Sequence, residues 1–265
     1  MEEPELKQLT EKVCEAAKTA GRFILGERKT FDSSSIEYKG RNDLVSYVDK
    51  TSEKMLVEEL LRILPDSGFI TEEKTTSIEG KKLTWIIDPL DGTTNFIHGV
   101  PIFCVSIALA LNNEPILGVV YEMNLDECFY AWKGGGAYLN GKRIYVSKVD
   151  GLKNGLMVTG FAVTDNSKLK SLLEMFEYCI RNTHGIRRLG SAAADIVYVA
   201  CGRFEGFYEY GLSPWDIAAG IIILKEAGGK VSDFSGSNDY LFGKQIVAAN
   251  ANVFDELLSV IKKTF

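Results

Sequence analysis

The chain has 265 residues, of which 46% are hydrophobic and 25% are charged, and its formal net charge is −6. This composition is typical of a soluble globular protein and excludes a disordered or fibrous chain. The negative charge argues against an extended surface for nucleic acid or for an anionic membrane. No apolar run reaches the roughly 18 residues that span a bilayer, and residues 1–5 are acidic where a targeting peptide would be basic. The composition therefore predicts a cytoplasmic protein without a membrane partner, and it argues against nucleic acid as a partner while leaving a local basic patch open.

The cysteines and histidines restrict the chemistry that the chain can perform. The five cysteines are widely spaced and form no CxxC pair, which argues against a zinc cage, a redox pair and a disulfide framework. The two histidines, His98 and His184, are too few for a multi-histidine metal site, and no Gly-x-Ser-x-Gly motif accompanies them. If the protein is an enzyme, we expect carboxylates to carry its chemistry.

The first half of the chain is predicted to contain two amphipathic helices and then a series of strands. Apolar spacing predicts one helix over residues 5–28 and a second from Lys50 to a stop at Pro65. Alternation predicts a short strand over 44–48, between these helices. Further strands are predicted over 83–87, 102–111, 115–122 and 127–132, followed by hairpins at the glycine-rich turns near 134–141.

The second half alternates between strands and helices. Strands are predicted over 155–159, 204–210 and 245–249, and helices over 168–181, 192–200, 215–227 and 253–262. Because the pattern changes near residues 146–155, we expect an α+β subdomain over 1–147 and an α/β subdomain over 148–265. No Pro-rich linker separates them, so they are expected to form one catalytic unit with ligands bound between them.

The strongest chemical signal is the stretch over residues 85–96. Asp88 and Asp91 lie at the end of a predicted buried strand, where the chain turns through a proline. Asp91 is expected to cap a short helix beginning at Gly92, whose free N–H groups would attract an anion. Adjacent carboxylates attract a hard cation, so the stretch predicts a metal-bound phosphate. A simple strand-to-helix turn would explain Asp91 but not Asp88.

Three other acidic residues could supply further oxygen ligands, because two carboxylates from one turn cannot fill the coordination shells of two hard cations. Glu72 follows an apolar dipeptide and would, in isolation, be a solvated surface charge. Asp216, at the start of an apolar helix, would be a favourable N-terminal charge, and Asp49 would be a helix cap. The residues alone leave both interpretations open.

Together these motifs resemble those of the inositol monophosphatase family, which are Mg²⁺-dependent, lithium-sensitive phosphomonoesterases. Residues 85–98 resemble the first signature of that family, and residues 215–220 with 226–229 resemble the second. The resemblance extends from Lys39 to the closing helix. It implies a layered αβαβα sandwich of the sugar-phosphatase type, in which an antiparallel sheet half precedes a mixed α/β half.

The resemblance also implies two to three Mg²⁺ ions. Glu72, Asp88 and the Leu90 carbonyl would hold the first ion, while Asp88, Asp91 and Asp216 would hold the second. Glu72 would also help to place a weaker third ion. Most of these ligands lie in the predicted N-terminal subdomain, whereas Asp216 lies in the C-terminal one.

Catalytic and substrate-binding roles follow from the same resemblance. Thr93 corresponds to a hydroxyl that orients the attacking water, Asp49 to the carboxylate that accepts its hydrogen bond, and Glu72 to a further catalytic group. The implied substrate contacts are Asp91, Gly92, Thr93, Gly190, Ser191, Ala192 and Glu209. Lys39 is a further candidate, in a loop that is one residue shorter than in the animal enzymes.

The implied reaction is hydrolysis of a small polyol phosphate monoester by a homodimeric enzyme, with myo-inositol monophosphate as the first candidate. One alternative is a dual inositol and fructose-1,6-bisphosphate phosphatase. Others are family activities toward NADP, histidinol phosphate or adenosine 3′,5′-bisphosphate, or a protein that mainly binds RNA or the transcription machinery. The basic pair Arg187 and Arg188 is expected to be ion-paired or at an interface rather than on RNA.

Overall fold

The computed structural model describes residues 3–31, 36–40, 43–76, 78, 81–161 and 167–265. For residues 36–40 and 43–45 it describes backbone but no side chains, so the side chain of Lys39 lies outside the described part. None of the described helices is both long enough and apolar enough to cross a membrane.

The described chain forms helices and strands in the following order along the sequence. The helices are α1 (Glu3–Arg28), α2 (Tyr47–Ile63), α3 (Thr93–His98), α4 (Leu169–Asn182), α5 (Ala192–Ala200), α6 (Pro214–Glu226) and α7 (Phe254–Thr264). The strands are β1 (Ile36–Gly40), β2 (Asp43–Ser46), β3 (Gly68–Thr71), β4 (Leu83–Asp91), β5 (Cys104–Leu111), β6 (Glu114–Glu122), β7 (Glu127–Trp132), β8 (Gly136–Leu139), β9 (Lys142–Ile144), β10 (Met157–Thr159), β11 (Ile186–Arg187), β12 (Gly206–Tyr210), β13 (Lys230–Ser232) and β14 (Gln245–Ala249). A short 3-10 helix, Leu152–Asn154, precedes β10.

Two main sheets are built from these strands. Strands β3 to β9 form a seven-stranded sheet in sequence order, in which β3 and β4 are parallel and the other neighbours are antiparallel. Strands β10 to β14 form a mixed five-stranded sheet in the order β11-β10-β12-β14-β13. Strands β1 and β2 form a separate antiparallel ribbon.

Helices and sheets alternate in five layers. On the seven-stranded sheet, Val13 of α1 and Leu60 of α2 share a buried core with Trp85 of β4. The described helices α5 and α6 lie between the two sheets, because their core includes residues of both. On the other face of the five-stranded sheet, Met175 of α4 and Leu257 of α7 complete a third core. The predicted αβαβα sandwich is confirmed.

Two glycines allow helix α6 to approach its neighbours closely. A Cβ atom at Gly118 of β6 would lie 2.5 Å from Ile222 and 2.6 Å from the Ala219 carbonyl oxygen of α6. A Cβ atom at Gly220 would lie 2.8 Å from Ile196 of α5. Helix α6 is therefore held tightly between the first sheet and α5, and its N-terminus is fixed relative to both.

Two sequence predictions of element bounds were wrong near the site. The strand predicted over 44–48 ends at Ser46, because the Ser46 hydroxyl accepts a hydrogen bond from the Val48 N–H (3.1 Å) and caps α2 there. Strand β4 does not end at Asp88 but continues through a bulge to Asp91. The sheets change between β9 and β10, near the predicted subdomain boundary, but the division at 147/148 stays a prediction.

Candidate active site

The candidate site lies where β3 and β4 end side by side. These strands are parallel and pair Thr71 with Ile87, so the next residues along each strand, Glu72 and Asp88, come to the same edge of the sheet. The Glu72 N–H donates to the Ile87 carbonyl (3.3 Å), which fixes the backbone there. The Asp88 carboxylate accepts from the Leu90 N–H (2.9 Å).

A bulge in β4 separates Asp88 from Asp91. Asp88 pairs with Ser106 and Asp91 with Cys104, so β4 contains one residue more than β5 between these two pairs. Pro89 lies inside the bulge, where its missing N–H costs no ladder hydrogen bond. The bulge therefore lets two carboxylates of one strand reach a single region of the molecule.

Asp91 does not cap helix α3, contrary to the prediction. The cap is Gly92, which has a left-handed φ of 96°, and the helix begins one residue later, at Thr93. Asp91 Oδ2 instead accepts from the Ser191 hydroxyl (2.6 Å) and the Ala193 N–H (2.7 Å) at the start of α5. Burial raises the pKa of Asp91, although these two hydrogen bonds oppose the rise. Asp91 thus joins the first sheet to α5.

Thr93 and Asp49 are in direct contact. The Thr93 hydroxyl lies 2.9 Å from Asp49 Oδ1 and 3.0 Å from the Leu90 carbonyl oxygen. The other oxygen of Asp49 accepts from the Ser46 N–H (2.8 Å) and the Ser46 hydroxyl (2.6 Å). Asp49 is fully buried, and burial raises its pKa despite these bonds. The N-cap of α2 is Ser46, and Asp49 is the third helical residue of the same capping box. Asp49 is therefore not the cap itself, but it supports the cap and accepts from Thr93 at once.

Asp216 enters the site from the N-terminus of α6. Helix α6 begins at Pro214, a residue well suited to the first helical position, and the Ser213 N–H donates to Asp216 Oδ2 (2.7 Å). Burial and the charge of Asp91 raise the pKa of Asp216 well above its usual range. Asp216 is thus the predicted N-terminal helix charge, and it lies near the other carboxylates.

A cavity of about 340 Å³ brings most of the predicted residues together. The predicted residues that line it are Glu72, Asp91, Gly190, Ser191, Ala192, Glu209 and Asp216. The predicted residues Asp88, Leu90, Gly92, Thr93 and Asp49 are not among its lining residues. Asp88 is only 2% exposed, yet it is close enough to the lining carboxylates to be influenced by their charge.

The site concentrates negative charge. Burial and the carboxylates of Glu72, Asp91 and Asp216 raise the pKa of Asp88 well above its usual range. Nevertheless, the described residues contain no group of three or more His, Cys, Asp or Glu side chains that could hold a metal ion as they stand. Like charges repel, so a cation would have to draw these groups together. The donor set fits a hard divalent cation, because carboxylate and carbonyl oxygens are its preferred ligands.

Glu209, on strand β12, also lines the cavity and is close enough to Asp91 to be influenced by its charge. Burial raises the pKa of Glu209 to about 8, an effect that the positive charge of Arg188 opposes. A Cβ atom at Gly160 would overlap the Glu209 carboxylate, so the glycine makes room for it. At neutral pH Glu209 is therefore mostly a neutral carboxylic acid, which can both donate and accept a hydrogen bond.

The cavity lining also includes residues that were not predicted as site residues, among them Phe161, Arg188 and Asp195. Arg188, which was expected to be ion-paired or at an interface, lines the cavity, and its guanidinium lies 4.5 Å from the centre of the Phe161 ring. Asp195 is 1% exposed, its Oδ1 has no hydrogen-bond partner, and burial raises its pKa well above the usual range. A single charge in the otherwise uncharged α5 was the signal that could have revealed Asp195.

A five-layered αβαβα fold with a carboxylate-lined cavity between its two sheets is characteristic of the sugar-phosphatase class of phosphoric monoester hydrolases. A family model described as the inositol monophosphatase family matches residues 5–263. The chain belongs to the inositol monophosphatase family and is a phosphatase.

Curated relatives of this chain carry three kinds of name. It is 43% identical over 252 residues to the Nus factor SuhB of Pseudomonas aeruginosa, with 93% of each chain covered. It is 39% identical over 251 residues to the inositol-1-monophosphatase of Mesorhizobium japonicum, with 94% of each covered. It is 40% identical over 261 residues to the fructose-1,6-bisphosphatase/inositol-1-monophosphatase of Aquifex aeolicus, with 97% of each covered.

Solved structures share the fold. The crystal structure of the extragenic suppressor protein suhB from Bartonella henselae has a TM-score of 0.89 and 38% identity, covering 96% of this chain and 98% of that chain.

Proposed function

We propose that this phosphatase hydrolyses a small polyol phosphate monoester with the help of Mg²⁺, and that myo-inositol monophosphate is its first substrate. The observation that supports this most is one cavity whose lining includes the four carboxylates of Glu72, Asp91, Glu209 and Asp216. Glu72, Asp91 and Asp216 offer oxygen ligands, and Glu209 offers a hydrogen-bonding group for hydroxyls. A cytoplasmic, lithium-sensitive homodimer is part of the same proposal.

The proposed metal ligands are the carboxylates of the site and one backbone carbonyl. Glu72, Asp88 and the Leu90 carbonyl would hold one ion, and Asp88, Asp91 and Asp216 a second, with Glu72 also near a weaker third. Bound Mg²⁺ would supply charge neutralisation and lower the pKa of an attacking water. The pKa values of Asp88 and Asp216 are raised, in part by the charges of the neighbouring carboxylates. A bound cation would compensate this negative charge, which supports the assignment.

Thr93 and Asp49 would orient the attacking water. A threonine hydroxyl is neutral and is a poor base, but it can accept from water while it donates to a carboxylate. Asp49 is held in place by Ser46, so it can fix the direction of the Thr93 hydroxyl. The pair would contribute alignment rather than proton affinity.

The polyol would lie between the start of α5 and Glu209. Gly190, Ser191 and Ala192 line the cavity there, and their backbone can approach a ligand closely. A protonated Glu209 can donate to one hydroxyl group and accept from another. This pattern suits a ligand with several neighbouring hydroxyl groups.

The test is a phosphate-release panel with Mg²⁺ titrated from zero. Its substrates are myo-inositol monophosphate, fructose-1,6-bisphosphate, NADP, histidinol phosphate and adenosine 3′,5′-bisphosphate. We expect the first to give the highest kcat/KM; a higher value for fructose-1,6-bisphosphate would favour the dual activity that the name of the Aquifex aeolicus relative states.

Asp88→Asn tests the metal assignment. Turnover should be lost while the fold remains, because the change removes one charge that is shared by both proposed ion sites. Asp66→Asn, at an exposed position after α2, is the matched control and should behave as the wild type. Normal activity of Asp88→Asn at ordinary Mg²⁺ would contradict the assignment.

A second candidate is a binding role with secondary catalysis. Its support is the relative named Nus factor SuhB, which is 43% identical to this chain. Retention of RNA or of RNA polymerase on the immobilised protein, equal for wild type and Asp88→Asn, would favour this role. Absence of retention together with high turnover would favour the phosphatase alone.

A further inference from the structure

A second cavity, of about 500 Å³, lies beside the candidate active site. It is bordered by the end of β12, the turn before β14 and the last turns of α7. Gly211 borders both cavities, and its N–H donates to the Lys244 carbonyl (2.7 Å). The volume is within the range of about 300–1,000 Å³ that is usual for small-molecule sites.

This second cavity is basic in an acidic protein. Lys168, Lys244 and Lys262 line it, whereas the chain as a whole has a net charge of −6. Other lysines, such as Lys133 and Lys230, are paired with carboxylates at 3.0 and 3.2 Å. Within the described residues, none of the three cavity lysines forms an ion pair. Three ammonium groups around one cavity, without an ion pair to any described residue, favour an anion, phosphate above all.

Three of the other lining residues are aromatic. The rings of Phe234 and Phe265 lie 4.7 Å apart at an angle of 59°, and the Tyr210 ring is 6.1 Å from Phe265. All three residues line the cavity, with Tyr210 and Phe234 only 7% and 6% exposed and Phe265 half-buried. Aromatic faces of this kind stack with flat rings, including nucleobases. The cavity therefore offers contacts for a charged group and for a ring.

We infer that this cavity binds a phosphorylated metabolite with a flat ring, of which a nucleoside monophosphate is the simplest example. Its three lysines bind the phosphate, and Tyr210, Phe234 and Phe265 contact the ring. None of the three lysines lines the active-site cavity, so this is a separate site. It does not rest on the proposed polyol substrate.

Calorimetric titration with AMP, in EDTA and without Mg²⁺, tests the inference. AMP should bind more tightly than inorganic phosphate or adenosine, because each of these probes makes only part of the contacts. Lys244→Ala and Lys262→Ala should each weaken AMP binding about tenfold, the usual loss for one hydrogen bond to a charged group. Lys263→Ala is the matched control, since Lys263 follows Lys262 on α7 but does not line the cavity.

One further variant distinguishes the sites. Glu209→Gln alters the active-site wall and should leave AMP affinity unchanged. Loss of AMP binding in Glu209→Gln but not in the lysine variants would place the nucleotide in the active site and overturn the inference. Equal affinity of the wild type and both lysine variants, or no binding of AMP, would also overturn it. Unchanged melting temperatures of the lysine variants show that they are folded.

Discussion

The hydroxyl of Thr93 has two acceptors within reach but only one hydrogen to donate. Asp49 Oδ1 lies 2.9 Å away and the Leu90 carbonyl oxygen 3.0 Å away. If the Leu90 carbonyl ligates a cation, as we propose, the hydrogen goes to Asp49. The lone pairs of the hydroxyl then remain for the attacking water, which is the geometry that alignment requires.

Thr93→Ala should lower kcat by about 10²–10⁴-fold, the usual contribution of a positioned group, and should barely change the Mg²⁺ requirement. Thr93→Ser should keep substantial activity because it keeps the hydroxyl. Asp49→Asn should lower kcat similarly, and the double variant should lose little more than either single one. If the two losses multiply, or if Thr93→Ala mainly weakens Mg²⁺ activation, Thr93 serves only as a structural residue.

Glu209 gives a prediction about pH and stability. Its pKa is about 8 in the folded chain against an ordinary value of 4.5, so the folded chain keeps a proton that the unfolded chain has lost. The contribution of Glu209 to stability is therefore full below about pH 4.5 and is lost as the pH rises through about 8.

Glu209→Gln should remove this part of the pH dependence. In EDTA, its melting temperature should match that of the wild type near pH 5 and exceed it above about pH 8. Glu174→Gln, at an exposed position on α4, should show the wild-type dependence. A constant difference between Glu209→Gln and wild type across this pH range would mean that Glu209 ionises normally.

At the scale of elements, helix α6 packs closely against strand β6 because residue 118 is a glycine, which has no side chain. Gly118→Ala places a methyl group 2.5 Å from Ile222, with backbone of α6 on the other side. The free energy of unfolding should fall by about 1–3 kcal/mol, as is usual for overpacking, and the Mg²⁺ requirement should rise because α6 carries Asp216.

Gly26→Ala is the control for this change. Gly26 lies in α1 with nothing within 4 Å of an added Cβ, so alanine there should stabilise the protein by about 0.5–1 kcal/mol. Chemical denaturation of both variants measures these differences. Equal effects would mean that the glycines matter only for backbone freedom.

The elements near the site show what a sequence can and cannot predict. Strand β7 and helix α5 were predicted to the residue because both are continuous apolar segments with clear ends. The start of α2 was missed since the cap at Ser46 lies within an alternating pattern. Arg188 and Asp195 were not predicted as site residues because only the tertiary packing brings the segment after β11 and the helix α5 to the cavity.

At the scale of the whole molecule, the five layers were expected from the family resemblance rather than from periodicity. Apolar patterns predict where strands occur, but they do not predict which strands pair with one another. The order β11-β10-β12-β14-β13 depends on crossovers that no local pattern encodes. No local pattern predicts the second cavity either, because its lysines are far apart along the chain.

Lithium tests how the whole enzyme releases its product. If a weakly held Mg²⁺ must leave with phosphate, Li⁺ can take its place after the substrate has bound. Inhibition of phosphate release should then be uncompetitive or mixed with respect to the substrate. Purely competitive inhibition, or no inhibition at Li⁺ concentrations far above that of Mg²⁺, would contradict this order of release.

The hydrogen bond from the Ala193 N–H to Asp91 makes the hydrogen exchange of one amide sensitive to the carboxylates of the site. This amide belongs to α5, yet its protection against exchange with deuterated water depends on a carboxylate of β4. Any cation that draws Asp91 toward Glu72 and Asp88 would alter that hydrogen bond. The exchange rate at Ala193 therefore reports, from within a buried helix, whether the carboxylates across the molecule have gathered around an ion.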